Sequence, residues 1–265
     1  MNQQKTKQSV PRRHKIRQFY WFSLLPLLLT FVAVLTIRIN FWNKKDSPAE
    51  TTSPAQTESA TIPFNSEQSL SERFSSDDWR LQLVNQTHVY EEGLVPELTE
   101  LMNGFLVDSR CYPDLQEMMD NCRAAGLSPL ICSAYRTLET QHKLYENKIT
   151  QLQQQGYSEE DAVEMAGVIV APPGTSEHHL GLALDIVDLN YQLLDNSQED
   201  TAVQRWLMEH SWEYGFVLRY PSDKSDVTGI IYEPWHYRYV GKDAAREIHE
   251  QGLCLEEFLE LLGME

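Results

Sequence analysis

The sequence predicts an α+β fold in which helices pack on a central, mainly antiparallel sheet, preceded by an N-terminal transmembrane helix. Two observations predict the folded part. Apolar residues recur at helical spacing in some segments and form short strand-length runs in others. These segments do not follow a regular strand–helix–strand alternation, which argues against a parallel sheet. Hydrophobic residues make up 42% of the 265 positions, which is enough for a buried core.

The N-terminal region has the features of a membrane anchor. Residues 19–37 form an uncharged apolar run, and at 1.5 Å per residue a helix of about 19 residues crosses a hydrocarbon core of roughly 30 Å. Six Lys or Arg residues precede this run and three follow it, so the positive-inside rule places the basic tail, residues 1–18, in the cytoplasm. A cleaved signal peptide is the alternative, but its apolar region is usually shorter and no small-x-small cleavage site follows.

Composition divides the remainder of the chain into two parts. Residues 46–76 are rich in Ser, Thr, Pro, Glu and Gln and lack the apolar residues for a core, so residues 38–76 are predicted to be a flexible extracellular stalk. The folded domain is predicted to span residues 77–265.

Charge is unevenly distributed along the chain. Nine of the 22 basic residues and none of the 39 acidic residues lie in the first 45 positions. Residues 46–265 therefore hold 13 basic and 39 acidic residues, a net charge of −26. Such a charge repels phosphates and excludes nucleic acid as a partner.

The first half of the domain is predicted to contain two strands and three helices. Apolar runs predict strands at 81–84 and 130–133. A helix is predicted at 113–125 because Pro113 suits a first turn and Gly126 a terminus. Its buried face is predicted from spacing: Leu115, Met118, Met119 and Cys122. A long helix is predicted at 137–155, and Ser158 and Asp161 are spaced to begin another short helix.

The second half is predicted to carry the remaining strands and the C-terminal helices. The segment Ala-Pro-Pro-Gly at 171–174 predicts a loop. Helices are expected at 201–214, 243–250 and 255–262. Strands are expected at 182–187, 216–220, 230–232 and 235–240.

Two pairs of polar residues are spaced as metal ligands or proton carriers. His178 lies seven residues before Asp185, and Glu233 lies three residues before His236. A catalytic zinc site commonly uses two histidines and one carboxylate and keeps one position for water. The spacing therefore suggests that His178, Asp185 and His236 hold zinc and that Glu233 acts on its water. Spacing alone leaves the alternative open that the histidines are structural and that Asp185 belongs to a turn.

Three motifs in the same order resemble a known family. They are S-A-Y-R-T-x-x-x-Q at 133–141, S-x-H-x-x-G-x-A-x-D at 176–185 and E-x-W-H at 233–236. Together they resemble the signature of the VanY-like zinc D-Ala-D-Ala carboxypeptidases, over roughly residues 79–250. The resemblance implies the zinc D-Ala-D-Ala carboxypeptidase or Hedgehog-like fold. Ala134 replaces a common glycine, and His179-Leu180 stands where Gln-Thr is frequent.

The resemblance also implies the parts of a metallopeptidase site. One Zn²⁺ per domain would be bound by His178, Asp185 and His236, and the neighbouring His179 is predicted not to ligate. Zinc can lower the pKa of a bound water to about 7. Glu233 would act as general base and then as general acid toward the leaving amine.

Other residues of the motifs are expected to contact the substrate. Arg136 is implied at the reacting carbonyl, where a guanidinium stabilises developing negative charge. Ser176 and Gln141 are implied at the C-terminal end of the peptide. Tyr135 and Trp235 are expected to be pocket walls, with core aromatics as the alternative.

The function that these observations predict is hydrolysis of peptidoglycan stem peptides. A zinc D-alanyl-D-alanine carboxypeptidase would remove the C-terminal D-Ala of a pentapeptide stem, with its catalytic domain outside a bacterial cell membrane. One alternative is an L,D-carboxypeptidase acting on tetrapeptide stems. Another is a non-catalytic wall-binding module that keeps zinc for stability, although such a module has no need of Glu233.

Overall fold

The computed structural model describes residues 70–91 and 96–264. The predicted cytoplasmic tail, the membrane anchor at 19–37 and most of the predicted stalk lie outside the described residues. Among the residues that are described, none of the helices combines the length and the apolar composition needed to cross a membrane.

Short antiparallel strands form two sheets in the described part of the chain. One is a two-stranded pair and the other has four strands in the order β3-β4-β6-β5. The strands are β1 (Leu98–Glu100), β2 (Leu106–Asp108), β3 (Pro129–Ser133), β4 (Ala183–Asp188), β5 (Phe216–Leu218) and β6 (His236–Tyr239). The antiparallel pairing and the separate helices confirm the predicted α+β class.

Eight α-helices surround these strands within the described ranges. They are α1 (Leu70–Arg73), α2 (Tyr112–Ala124), α3 (Leu138–Gln154), α4 (Glu159–Ile169), α5 (Ala202–His210), α6 (Ser225–Thr228), α7 (Lys242–Gln251) and α8 (Leu255–Leu262). The predicted helix at 201–214 is α5 followed by a 3₁₀ turn, Ser211–Tyr214.

The main core lies between the four-stranded sheet and helices α2 and α5. Leu184 and Ile186 of β4 are fully buried in it. Because side chains alternate along a strand, Asp185 between them points to the opposite face of the sheet. The predicted face of α2 is confirmed, since all four of its apolar residues are buried. A second cluster packs α7 and α8 against Val217 and Val240.

Side-chain caps set the start of two helices, and the one at Ser158 is the cap that the sequence predicts. The Thr137 side chain accepts a hydrogen bond from Thr140 N at the start of α3, and Ser158 accepts one from Asp161 N at the start of α4. Each cap satisfies a backbone N–H that has no partner within its own helix.

Two predicted strands are wrong, and the structure gives the reason for each. Residues 81–84 do not pair with a strand, because the Arg238 guanidinium donates to the carbonyl oxygens of Arg80 at 3.0 Å and Gln82 at 2.8 Å. Residues 230–232 are irregular, and Ile231 N donates instead to Val168 O near the end of α4 at 3.0 Å. Leu81, Val84 and Ile230 are buried without belonging to a strand, so apolar character in these segments does not indicate strand pairing.

The described structure includes the last residues of the segment that was predicted to be a stalk. Residues 70–76, which composition assigned to the stalk, include α1 and pack against the C-terminal helices. The Phe74 and Phe258 rings meet edge to face at 5.3 Å, and Arg73 Nη1 lies 2.6 Å from Glu247 Oε1. This contact depends on residues far downstream, so local composition does not reveal it.

Candidate active site

Strand pairing places the two most distant site residues side by side. Asp185 of β4 lies directly opposite His236 of β6, and on its other side it pairs with Ser133 of β3 across an irregularity in the register. His178 lies in the 3₁₀ turn Glu177–Leu180 that leads into β4. The sheet therefore gathers three motifs that are far apart in sequence.

Gly181 allows the turn that carries His178 to lie close to the β-hairpin. It has a positive φ of 70°, and a Cβ at this position would come within 2.9 Å of Asp108 N. Asp108 N donates to Gly181 O at 2.9 Å. Both the conformation and the close approach require glycine, so this position fixes the turn against β2.

His178, Asp185 and His236 form a group that fits a metal ion. Their potential ligand atoms all lie within 4.8 Å of one another, and all three residues are buried. Asp185 Oδ1 lies 3.5 Å from His178 Nε2 and 3.2 Å from His236 Nδ1. This oxygen is buried and has no hydrogen-bond partner among the described residues. A cation between the three side chains would satisfy it, and two imidazoles with one carboxylate are a common catalytic zinc set.

The protonation of His178 suits a metal ligand. His178 Nδ1 lies 2.6 Å from the carbonyl oxygen of Ala134, so the ring donates there and its Nε2 lone pair faces Asp185. Burial lowers the pKa of His178 to about 4, which keeps the ring neutral near pH 7. A metal requires this neutral form.

Glu233 lies beside the metal group in the turn before β6. Its backbone N–H donates to Tyr220 O at 3.1 Å, and its carbonyl accepts from His236 N at 3.1 Å. The carboxylate Oε2 is 3.5 Å from His236 Nδ1. Burial raises the pKa of the Glu233 carboxyl to about 8, so this group can both hold and release a proton near neutral pH.

Arg136 is tied to the metal group and is not a surface residue. Its Nη2 lies 2.5 Å from Asp185 Oδ2 and its Nε donates to Ser133 Oγ at 2.8 Å. Its Nη1 donates to Gln141 Oε1 at 3.3 Å, while Gln141 Nε2 donates to Ala171 O at 2.7 Å. Both ends of the Gln141 amide are therefore engaged, and this side chain orients Arg136.

These residues open into one cavity of about 400 Å³. Polar and aromatic groups from the motifs line one part of it: Arg136, Gln141, Ser176, His178, Asp185, Glu233, Trp235 and His236. Apolar side chains line another part: Leu144, Ile169, Val170, Leu194, Ile230 and Ile231. The cavity does not include Tyr135, which follows β3 and donates its backbone N–H to Leu106 O. A mainly apolar pocket with a few convergent polar groups is the usual form of a small-ligand site.

The family model of D-alanyl-D-alanine carboxypeptidase (VanY) matches residues 104–242, which include every residue that surrounds the metal group. The chain belongs to this family. It is 44% identical over 188 residues to a D-alanyl-D-alanine carboxypeptidase of Enterococcus faecalis, covering 71% of this chain and 68% of that protein.

Solved structures of VanY-family and related enzymes have the same fold. A VanY mutant from the VanB-type resistance cassette in complex with Zn(II) matches with 44% identity and a TM-score of 0.64, covering 69% of this chain and 99% of that one. VanYB in complex with D-alanine-D-alanine matches equally well and is covered to 98%. The LD-carboxypeptidase LdcB is 32% identical, with a TM-score of 0.56 and coverage of 67% and 84%.

Three buried charged residues near the metal group of this VanY-family chain were missed by sequence reasoning. Glu177, Arg219 and Arg238 are each at most 1% exposed. The position of Glu177 next to His178 could have suggested a role at the site, but a carboxylate in a loop is usually exposed to solvent. Arg238 lies between two tyrosines in a strand, where a charged side chain usually faces solvent, but the structure buries it completely.

Proposed function

We propose that this chain is a zinc-dependent D-alanyl-D-alanine carboxypeptidase that removes the C-terminal D-Ala from peptidoglycan pentapeptide stems. The observation that carries the proposal is the unpartnered Asp185 Oδ1 between His178 Nε2 and His236 Nδ1, with the Glu233 carboxyl beside it. Membership of the VanY family supports the reaction class. The proposed ligands of the zinc are these two histidines and Asp185.

Glu233 is proposed to move the proton in this reaction. When bound, zinc supplies a Lewis acid beside the scissile carbonyl. The buried Glu233 carboxylate accepts a proton from the attacking water and then donates it to the amine of the departing D-Ala. Burial raises the pKa of this carboxyl above its usual range, which favours a group that must both accept and return a proton.

Arg136 is proposed to stabilise the negative charge that develops on the carbonyl oxygen. Its guanidinium is held by Asp185, Ser133 and Gln141, so it is oriented before substrate binds. A donor that needs no reorganisation during the reaction gives the largest stabilisation of a transition state. Gln141 is therefore proposed to act through Arg136.

Ser176 is proposed to bind the terminal carboxylate of the peptide. It is buried, it lines the cavity, and its hydroxyl makes no cap hydrogen bond at the start of its turn. Trp235 lines the same cavity and is proposed to form its wall. Tyr135 lies outside the cavity lining, so the alternative that it is a packing residue is favoured.

An L,D-carboxypeptidase activity is the second candidate, and the similarity to LdcB favours it. The two activities differ in the residue before the cleaved bond, which the apolar part of the cavity would contact. We expect kcat/KM to be at least about tenfold higher on a pentapeptide stem ending in D-Ala-D-Ala than on the matching tetrapeptide. This is the range that one side-chain difference in a pocket provides.

Release of D-Ala from the two stems by the full chain measures this preference. The same stems with the terminal carboxylate amidated are the control, since a carboxypeptidase must lose activity on both. A higher kcat/KM on the tetrapeptide would contradict the D,D assignment and support the L,D alternative.

We also propose that residues 19–37 anchor the catalytic domain outside the bacterial cell membrane. The apolar run and the excess of basic residues before it support this orientation. Protease added to intact protoplasts is expected to remove the C-terminal domain, while a cytoplasmic marker protein survives. Protection of the C-terminal domain in intact protoplasts would contradict this topology.

A further inference from the structure

Two buried polar atoms behind the metal group face each other without another partner. Glu177 Oε2 and His236 Nε2 are 3.8 Å apart. Both atoms are buried, and neither has a hydrogen-bond partner among the described residues. Unpaired buried polar atoms are rare in native proteins, because each loses its hydration without compensation. A hydrogen bond between these two atoms would satisfy both of them.

The other oxygen of Glu177 is already occupied by two arginines. Glu177 Oε1 accepts from Arg219 Nε at 2.8 Å and from Arg238 Nη1 at 2.7 Å. Arg219 donates its two remaining nitrogens to Glu256 of α8 at 2.8 Å and 2.6 Å. Glu256 and Glu177 together balance both arginines. The arginines fix Oε1, and the geometry of the carboxylate then directs Oε2 toward His236.

His236 needs a partner of this kind if it is a metal ligand. Its Nδ1 faces Asp185 at 3.2 Å, so Nδ1 must carry the free lone pair and Nε2 must carry the proton. The proton of His178 is fixed in the corresponding way, on the nitrogen that faces the Ala134 carbonyl. Histidine ligands generally donate their second N–H to a carboxylate or carbonyl, which fixes the tautomer and orients the ring.

We propose that Glu177 is a positioning residue for His236: it accepts the Nε2–H of that ring and thereby presents Nδ1 to the metal. This inference rests on the proposed function, because it takes His236 to be a zinc ligand. Glu177 is not among the residues that line the cavity, so its carboxylate acts through His236 and not on the substrate. The buried chain Glu256–Arg219–Glu177 then links the metal group to α8 at the C-terminus of the domain.

Glu177→Gln tests this role because the arginines determine how the new amide is oriented. Both guanidinium groups donate to the Oε1 position, so the amide oxygen must lie there and the NH₂ group must face His236. Two donors then oppose each other when Nε2 carries its proton. The substitution therefore disfavours the tautomer that binds metal. Glu256→Gln is the matched control, since it removes a carboxylate from the same arginine but leaves the Glu177–His236 contact intact.

The first measurement is the proton NMR signal of the His236 ring N–H in the zinc-loaded full chain in detergent micelles. We expect a slowly exchanging, strongly downfield Nε2–H signal in the wild type and in Glu256→Gln, and its loss or upfield shift in Glu177→Gln. If the wild-type signal is at the position of a ring N–H without a carboxylate acceptor, the proposal is overturned without use of any variant.

The second measurement is the zinc dissociation constant, determined by competition with a chelator. Glu177→Gln is expected to raise it by about 10–100-fold, the usual effect of removing a partner of a metal-ligating histidine. Glu256→Gln is expected to leave it within about twofold of wild type while lowering thermal stability. Equal zinc affinity of Glu177→Gln and wild type would refute the positioning role.

The wild-type chain separates the two proposals. If it binds one zinc and releases D-Ala while Glu177→Gln shows unchanged zinc affinity and an unchanged N–H signal, only the role of Glu177 fails. If the wild type binds no zinc, the proposed function fails and the role of Glu177 fails with it.

Discussion

Glu233→Gln is expected to lower kcat by about 10²–10⁴-fold while the protein keeps its zinc. The glutamine amide has nearly the shape of the carboxyl but cannot accept a proton from water or return it to the amine. The three proposed ligands are not changed, and Glu233 Oε2 is 3.5 Å from His236 Nδ1, so the metal group should remain assembled. Release of D-Ala from a pentapeptide stem and the zinc content of the same sample measure both outcomes.

Glu209→Gln is the matched control for this substitution. Glu209 is an exposed residue of α5, away from the cavity, and its replacement should leave kcat unchanged. A Glu233→Gln protein with near wild-type turnover would exclude Glu233 as the proton carrier. Another group of the cavity would then have to carry the proton.

His236→Ala is expected to abolish stoichiometric zinc binding and to reduce activity to the background of the assay. The substitution removes one of three ligands and leaves Asp185 Oδ1 and His178 Nε2, which lie 3.5 Å apart, as a pair that holds zinc weakly. Metal analysis after gel filtration and the D-Ala release assay measure the two effects. Partial recovery of activity at high zinc concentration would agree with this reasoning.

His249→Ala is the control for loss of an imidazole. His249 is exposed on α7, where it stacks on Trp212, so its removal should change neither zinc content nor activity. Full zinc occupancy in a folded His236→Ala protein would show that another residue completes the site. Loss of a ligand therefore empties the site, whereas loss of the proton carrier leaves it filled and inactive.

The role of Arg136 depends on contacts that the local sequence does not show. From the sequence, an arginine after a short strand is most simply a surface ion-pair residue. In the structure its guanidinium contacts Asp185 and is held by Gln141, a residue whose amide is itself fixed by a backbone carbonyl. The helix α3 contributes Gln141 through its first turns, so Arg136 is oriented by an element that follows it in the chain.

Elements with local signals could be predicted from the sequence alone. Apolar residues at helical spacing placed α2 and a capping pattern placed the start of α4, because helix starts and buried faces depend on residues within one or two turns. The three motifs, through their resemblance to the VanY-like family, also named polar residues that line the cavity, whereas Tyr135 of the first motif lies outside it. Leu98–Glu100 and Leu106–Asp108 were missed because strands of three residues carry too little periodicity to detect.

Which of those side chains meet, and which residues lie behind them, depends on contacts between segments that are distant in the chain. The register of β4 and β6 places Asp185 opposite His236. This register depends on how the two strands pair in the fold, and the spacing of residues along the chain does not predict it. The buried Arg238 accounts both for the absence of the predicted strand at 81–84 and for the burial of Glu177. Its guanidinium donates to the carbonyl oxygens of Arg80 and Gln82 and to the Glu177 carboxylate. A buried arginine must satisfy all its donors, and the partners it finds come from segments that are distant in the chain.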